Sequence, residues 1–174
     1  MATAAVLESY VNHDTSSFAD VYSAHHRDLL RLAWLLTGDQ HQAEDVVADA
    51  FAKVYRPWRQ GRVDNVGGYL RTAVVNRVNS GFRRRALERR EAAKRPVERT
   101  QDSPEAYAAD RDEIWQALRQ LPRGQRTAIV LRYWDDLTEA QAAEVMGVTV
   151  GTVKSQTAKG LSRIRHLLQE GGDA

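Results

Sequence analysis

Apolar side chains recur three and four residues apart along most of this chain, and two-residue alternation appears nowhere. That spacing gives each segment one apolar stripe and leaves no half-buried strand to pair, so a core can form only by stacking helices. Phe18, Val21, Tyr22, Leu29, Leu32, Ala33 and Leu36 predict a first helix, with Gly38 placed to stop it in a left-handed cap. Asp39 and Gln42 read as a capping box opening a second helix, whose Ala43, Val46, Val47, Ala50, Phe51 and Val54 face inward and which Pro57 closes. After the polar stretch RQGRVDNVGG, a third helical pattern runs from about Tyr69 through Ala73, Val74 and Val78 toward Phe82. It then dissolves into Arg83, Arg84 and Arg85.

Almost no side chain larger than alanine is apolar in ALERREAAKRPVERTQD, which reads as a linker or a frayed helical extension. Ser103 followed by Pro104 marks a new helix start. That helix carries Tyr107, Ile114, Leu118 and Leu121 and ends at Pro122; another follows from about Arg123 to Tyr133, broken by Asp135 and Asp136. The expected architecture is all-α, two small helical domains joined by a flexible basic linker. Its parts are a flexible N-terminus (1–16), a first domain (17–85), the linker (86–102), a second domain (103–168) and a frayed tail (169–174).

The net charge of +2 conceals a strong segregation: residues 1–50 carry net −6, 51–100 net +10 and 101–174 net −2. So basic a middle segment suits a surface that meets phosphates, although the run alone equally describes a solvated linker. With no cysteine there is no disulfide, thiolate nucleophile or Cys-rich zinc site, a composition that fits a reducing cytoplasm. Apolar runs such as Leu32 to Leu36 are far shorter than the roughly 18 residues of a spanning helix, and the start lacks the basic region of a signal peptide. A soluble, cytoplasmic chain without a membrane span is expected.

The sharpest local signal is LTEAQAAEVMGVTVGTVKSQTAKGLSRIRHLL. Thr138 and Gln141 form a capping box, the short helix reaches Met146, Gly147 permits a tight turn, and Thr149 caps a longer helix. Residues 138–167 therefore have helix-turn-helix spacing, a pattern shared with plain helical corners. At about 100° per residue, Val153, Thr157, Gly160, Leu161, Ile164 and Leu168 fall on one side. Gly151, Lys154, Ser155, Ala158, Lys159, Ser162 and Arg165 fall on the other. Residues 149–168 hold four basic and no acidic side chains, as suits a helix in a major groove. Lys154, Ser155, Gln156 and Lys159 sit where they can reach base edges or phosphates.

In order and spacing, FADVYSAHHRDLLRLAWLLTGD, AEDVVADAFAKVY, GGYLRTAVVNRVNSGFRRR, LPRGQRTAIVLRYW and the helix-turn-helix resemble an extracytoplasmic-function sigma factor of bacterial RNA polymerase. The resemblance spans about residues 17–168, and Gly151 to Gln156 (GTVKSQ) is similar to the actinobacterial SigE-like members. It implies a transcription initiation factor that directs core polymerase to minus-ten and minus-thirty-five promoter elements. It implies that a sigma2-like domain docks on the clamp helices of the largest subunit through Asp45, Asp49 and Lys53. The minus-ten element and its melted non-template strand would then fall to Arg62, Asn65, Tyr69, Asn76, Arg77, Arg83 and Arg84, which supply stacking, hydrogen bonding and positive charge. A sigma4-like domain would meet the polymerase flap through Ile129, Arg132 and Tyr133. It would read the minus-thirty-five duplex with Thr152, Lys154, Ser155, Gln156, Ala158 and Lys159. An anti-sigma factor is a further candidate partner by the same resemblance.

Departures from the wider family fall at Gln156 and Lys159, where Arg is common, at Ala158, where a bulkier residue is common, and at Ala48 and Asp49, where Gln and Glu are usual. Arg is the better bidentate reader of guanine, so the family's minus-thirty-five preference does not transfer residue by residue.

No enzyme signature competes. His25, His26, Asp28, His41 and Asp45 lack HExxH spacing, the serines lack a GxSxG elbow, and no phosphate-cradling GxxxxGK loop or other sign of a cofactor or small-molecule substrate is present. Trp34, Trp58, Trp115 and Trp134 lie in apolar patterns and are expected to pack in cores. Two other classes fit the same surfaces: a dimeric helix-turn-helix regulator that reads a palindrome unaided, and a module whose apolar faces another protein covers.

Overall fold

The computed structural model describes residues 17–92 and 113–171. Seven helices lie among them: α1 (Phe18–Thr37), α2 (Gln40–Arg59), α3 (Val66–Ala92), α4 (Glu113–Gln120), α5 (Arg123–Tyr133), α6 (Glu139–Met146) and α7 (Val150–Gly171), with no strand. The expected start at Ser103 and Pro104, Tyr107, the leading sixteen residues and the end of the tail lie outside the described residues.

Helix α1 starts on a reciprocal capping box, Ser17 N–H donating to Asp20 Oδ2 at 2.8 Å and Asp20 N–H to Ser17 Oγ at 3.3 Å. It stops at Gly38, whose φ of 72° is open to a residue without Cβ and whose N–H reaches the Trp34 carbonyl at 2.7 Å. A cap is worth about 1 kcal/mol and a buried leucine roughly 2, so the packing of Leu29, Leu32, Leu35 and Leu36 fixes the helix while the caps fix its ends. These leucines share a core with Ala43, Val46, Val47, Ala50, Phe51 and Val54 of α2 and Leu70, Val74 and Val78 of α3.

Three boundaries differ from expectation. Pro57 sits inside the last turn of α2, where its missing N–H removes one helical bond. The helix ends two residues later at Arg59, with Gly61 at φ 65° and Arg62 N–H on the Pro57 carbonyl at 3.0 Å. Helix α3 begins at Val66 rather than Tyr69, because Asn65 Oδ1 accepts from Gly68 N–H at 2.8 Å and acts as its cap. It also continues through Arg83, Arg84 and Arg85 to Ala92, where the linker was expected from residue 86. Ala, Leu, Glu and Arg are all strong helix formers, so propensity favours a helix even where apolar spacing is sparse.

In the second unit α7 packs on α4, α5 and α6. Thr138 and Gln141 make the expected capping box, Gly147 turns with φ 65°, and Thr149 Oγ1 accepts from Thr152 N–H at 3.1 Å. Gly160 lets α5 and α7 approach: a Cβ there would stand 2.6 Å from Ile129 Cδ1. Between the units, α1 packs on α5 and α3 on α6, and the apolar core is continuous. Trp34 and Trp115 stack across this junction with centroids 4.1 Å apart. Trp134, expected in a core, is instead 38% exposed, because it caps α5 beyond its buried face.

Candidate nucleic-acid and polymerase interfaces

On α7 the two expected faces separate cleanly. Val153 and Gly160 are buried, whereas Gly151, Lys154, Ser155, Ala158, Lys159, Ser162 and Arg165 are exposed. Thr152 is half-buried, its hydroxyl 2.9 Å from that of Thr149 at the start of the helix. Lys154 Nζ stands 3.4 Å from Glu139 Oε2, a neighbour that sequence reasoning missed. Glu139 opens α6, and its proximity follows from the angle of the turn rather than from any spacing on α7. Gln156 does not share the outer face: a Cβ on Gly124 would meet its side-chain amide at 3.4 to 3.5 Å, so this group lies against the start of α5.

The candidate strand-capturing surface is built on the loop before α3 and on α3 itself. Arg62, Asn65 and Tyr69 are all exposed and cluster at the N-terminal end of α3. The Asn65 side chain lies over Gly68, where a Cβ would be 2.8 Å from Asn65 Nδ2, so glycine is required for this cap to close. Asn76 is exposed further along the helix, followed by exposed Arg83 and Arg84. Arg83 Nη2 is 3.5 Å from Ser80 Oγ. Arg77 is half-buried and its Nε donates to Asp49 Oδ2 on α2. One ion pair therefore joins a residue expected to hold DNA to a residue expected to dock on polymerase.

Of the remaining docking candidates, Asp45 and Lys53 are exposed on α2. Tyr133 is 57% exposed at the end of α5, while Arg132 donates to the Leu137 carbonyl and braces the turn into α6. Ile129 does not fit its expected role as a surface contact. It is 2% exposed, because the helical phase of α5 turns it onto Gly160 of α7.

Burial and Arg71 hold the His25 imidazole below its ordinary 6.5, against an opposing influence from Asp28. Arg123 is pushed down by burial and by Arg83, and Arg126 by burial and by Arg119 and Arg123. Among the described residues no three His, Asp or Glu side chains gather as a metal cage, and no helix is long and apolar enough to cross a membrane.

Both helical units match known protein families. Residues 21–88 match the family model of sigma-70 region 2, and residues 111–164 match that of sigma-70 region 4. The RNA polymerase sigma-E factor of Streptomyces antibioticus is 32% identical over 154 residues, covering 87% of this chain and 84% of its own. The ECF RNA polymerase sigma factor SigM of Mycobacterium tuberculosis is 32% identical over 171 residues, covering 96% of this chain and 85% of its own. The sigma factor RpoE of Bartonella quintana, solved in complex with the anti-sigma factor NepR, is similar with a TM-score of 0.71 at 25% identity, covering 87% of this chain and 96% of its own. Both helical units carry a family region and relatives align along nearly the whole chain: it belongs to the sigma-70 family of RNA polymerase sigma factors, among the extracytoplasmic-function members.

Proposed function

We propose that this chain binds bacterial core RNA polymerase and directs it to promoters bearing minus-ten and minus-thirty-five elements. The observation that carries the reading is the presence, on one chain, of two separate exposed surfaces of different chemistry. Residues 149–168 carry no acid, and the outer face of α7 presents Lys154, Ser155, Ala158 and Lys159, types suited to duplex phosphates and base edges in a major groove. The end of α3 presents an aromatic ring, amides and arginines, which suit an unstacked base and a single strand. In this reading Tyr69 offers a stacking surface and Arg62, Asn65 and Asn76 offer hydrogen bonds. Arg77, Arg83 and Arg84 neutralise the backbone.

Docking falls to Asp45, Asp49 and Lys53 on α2 for the clamp helices and to Arg132 and Tyr133 for the flap. Thr152 holds the start of α7, and Gln156 acts through the α5 contact rather than on a base. The role is recognition and strand capture without bond chemistry, exercised in the cytoplasm where polymerase and nucleoid meet. Because the similar RpoE is a partner of an anti-sigma factor, a protein that masks the polymerase-facing surfaces is proposed here as well.

The test is reconstitution: sigma-free core polymerase is incubated with the purified chain, fractionated by size, and supplied with a library of promoter fragments. Co-elution with promoter-specific transcripts supports the reading. Absence of co-elution, with unaided binding to a palindromic duplex, replaces it with a dimeric regulator.

A further inference from the structure

A carboxylate stands on the side of the helix-turn-helix where base reading is proposed. Residues 149–168 carry no acid, so it comes from the other helix of the motif: Glu139 Oε2 lies 3.4 Å from Lys154 Nζ. Both ends of the pair sit on fixed elements. Glu139 directly follows the cap in which Thr138 N–H donates to Gln141 Oε1 at 2.8 Å and Gln141 N–H to Thr138 Oγ1 at 3.2 Å. Lys154 follows the buried Val153, and Ala142, Ala143 and Val145 of α6 are buried as well. The macrodipole favours an acid in any first helical turn, whichever way it faces. It does not call for one beside a cation on a surface that meets a polyanion. Nor does the fold need the contact, because a pair whose side chains are 62% and 39% exposed adds little to stability.

A helix-turn-helix sets the N-terminal residues of its second helix at base edges while its first helix crosses the backbone. Lys154 is near the start of α7 and Glu139 at the start of α6, so in that docking the pair reaches the duplex where backbone and groove edge meet. Lysine offers only donors and a carboxylate only acceptors. When Lys154 turns to a phosphate, Glu139 loses its partner and is left beside the same backbone charge. In the major groove the groups that can take the place of Lys154 are the amino groups of cytosine and adenine; guanine presents the O6 and N7 acceptors, and thymine presents O4 and a methyl group. An amino group within reach therefore satisfies both members of the pair. An acceptor or methyl group in its place keeps Lys154 on Glu139 or leaves the carboxylate unpaired.

We propose that Glu139 is a specificity-determining residue of duplex recognition: it accepts a hydrogen bond from the amino group of a cytosine or adenine in the major groove while Lys154 takes the neighbouring phosphate. The inference rests on the duplex-reading role proposed for α7 and goes beyond it by adding a residue of α6. Its consequence is that the Lys154 phosphate contact, blind to sequence by itself, becomes conditional on the base that Glu139 meets.

The test is transcription by core polymerase reconstituted with the parent chain or with Glu139→Ala, on promoters whose minus-thirty-five region is randomised. The parent should favour cytosine or adenine over guanine and thymine roughly tenfold at one position of one strand, and Glu139→Ala should flatten that position to within about twofold while leaving the others as they were. Whether cytosine or adenine wins identifies the base, and an analogue of it lacking only the amino group should weaken duplex binding by the parent and not by Glu139→Ala. On preferred duplex the log–log salt slope of the parent should be about one unit steeper than on disfavoured duplex, and Lys154→Ala should make the two slopes equal. Unchanged base preferences in Glu139→Ala, or an equal loss on every sequence, overturns the proposal. Equal slopes in the parent overturn the coupling to Lys154. If the parent gives no promoter-specific transcript, the initiation reading fails separately, and the free chain is used to select duplexes from the same pool. A preference there that disappears in Glu139→Ala sustains the proposal, and one that persists, or none at all, overturns it.

Discussion

The outer face of α7 and the arginine-bearing side of α3 handle positive charge differently. On α7, Lys154 has Glu139 at 3.4 Å, and both side chains remain substantially exposed. On α3, Arg71 and Arg77 are engaged with carboxylates of other segments, Asp135 and Asp49. A cation in water meets a phosphate by shedding counterions, whereas an ion-paired arginine must first exchange its carboxylate. On the proposed reading Lys154 and Arg77 each exchange an exposed carboxylate for a phosphate, whereas Arg71 is held by a carboxylate whose side chain is only 12% exposed.

The largest expected effect comes from breaking the buried face of α7, opposite its cations. Gly160→Val drives a side chain into Ile129 and Gln125 and should destabilise the chain by about 3 kcal/mol in urea unfolding, whereas Gly151→Ala on the outer face should be neutral or mildly stabilising. Equal losses at the two glycines would remove the distinction between the faces. Next, Lys154→Ala should lower the salt dependence of duplex binding by about one unit of log–log slope. Arg77→Ala should change that slope much less, because Arg77 lies on α3 and not on the proposed duplex-facing side of α7. A smaller effect follows from Asp49→Asn, which releases Arg77. Single-strand binding by the free chain should strengthen by up to about fivefold, the range of an exposed pair, and docking on polymerase should weaken. Unchanged strand affinity would place the pair outside the binding equilibrium.

The smallest effect is a pH dependence. His25 has a folded pKa below 6.5, so the unfolded chain takes up its proton first as pH falls. Stability should be level above pH 6.5, decline as pH drops through the interval down to the folded pKa, and lose that component of the slope in His25→Gln. A slope unchanged by the substitution would assign the dependence to other groups.

Much of this was legible in the residues, and unevenly. The helix-turn-helix could be read nearly to the residue because its determinants are local: Thr138 with Gln141, glycine at Gly147, and the phase of Val153 and Gly160. The start of α3 was missed because its cap is an asparagine followed by two glycines, which resemble a loop until Asn65 is seen over Gly68. Of the two readings of the run after Arg83, a linker or a helical extension, the structure has the extension as far as Ala92, since apolar periodicity marks packing and a helix can persist without it. That Ile129 is buried and that the Gln156 amide lies against the start of α5 depend on which neighbours α5 and α7 meet. The contacts of Arg71, Arg123 and Arg126 bridge 44 to 90 positions, and no spacing within a helix encodes them.

The most direct measurement of the central claim, two reading surfaces on one initiation factor, is reconstituted transcription by core polymerase with Asn76→Ala or Lys154→Ala, on duplex promoters and on the same promoters already melted at the minus-ten element. The account predicts that both variants still bind polymerase. Asn76→Ala should fail chiefly on duplex templates and recover when the strands are open, while Lys154→Ala should stay defective wherever the minus-thirty-five element is needed. Equal loss of polymerase binding in both variants, or equal recovery of both on melted templates, would contradict it.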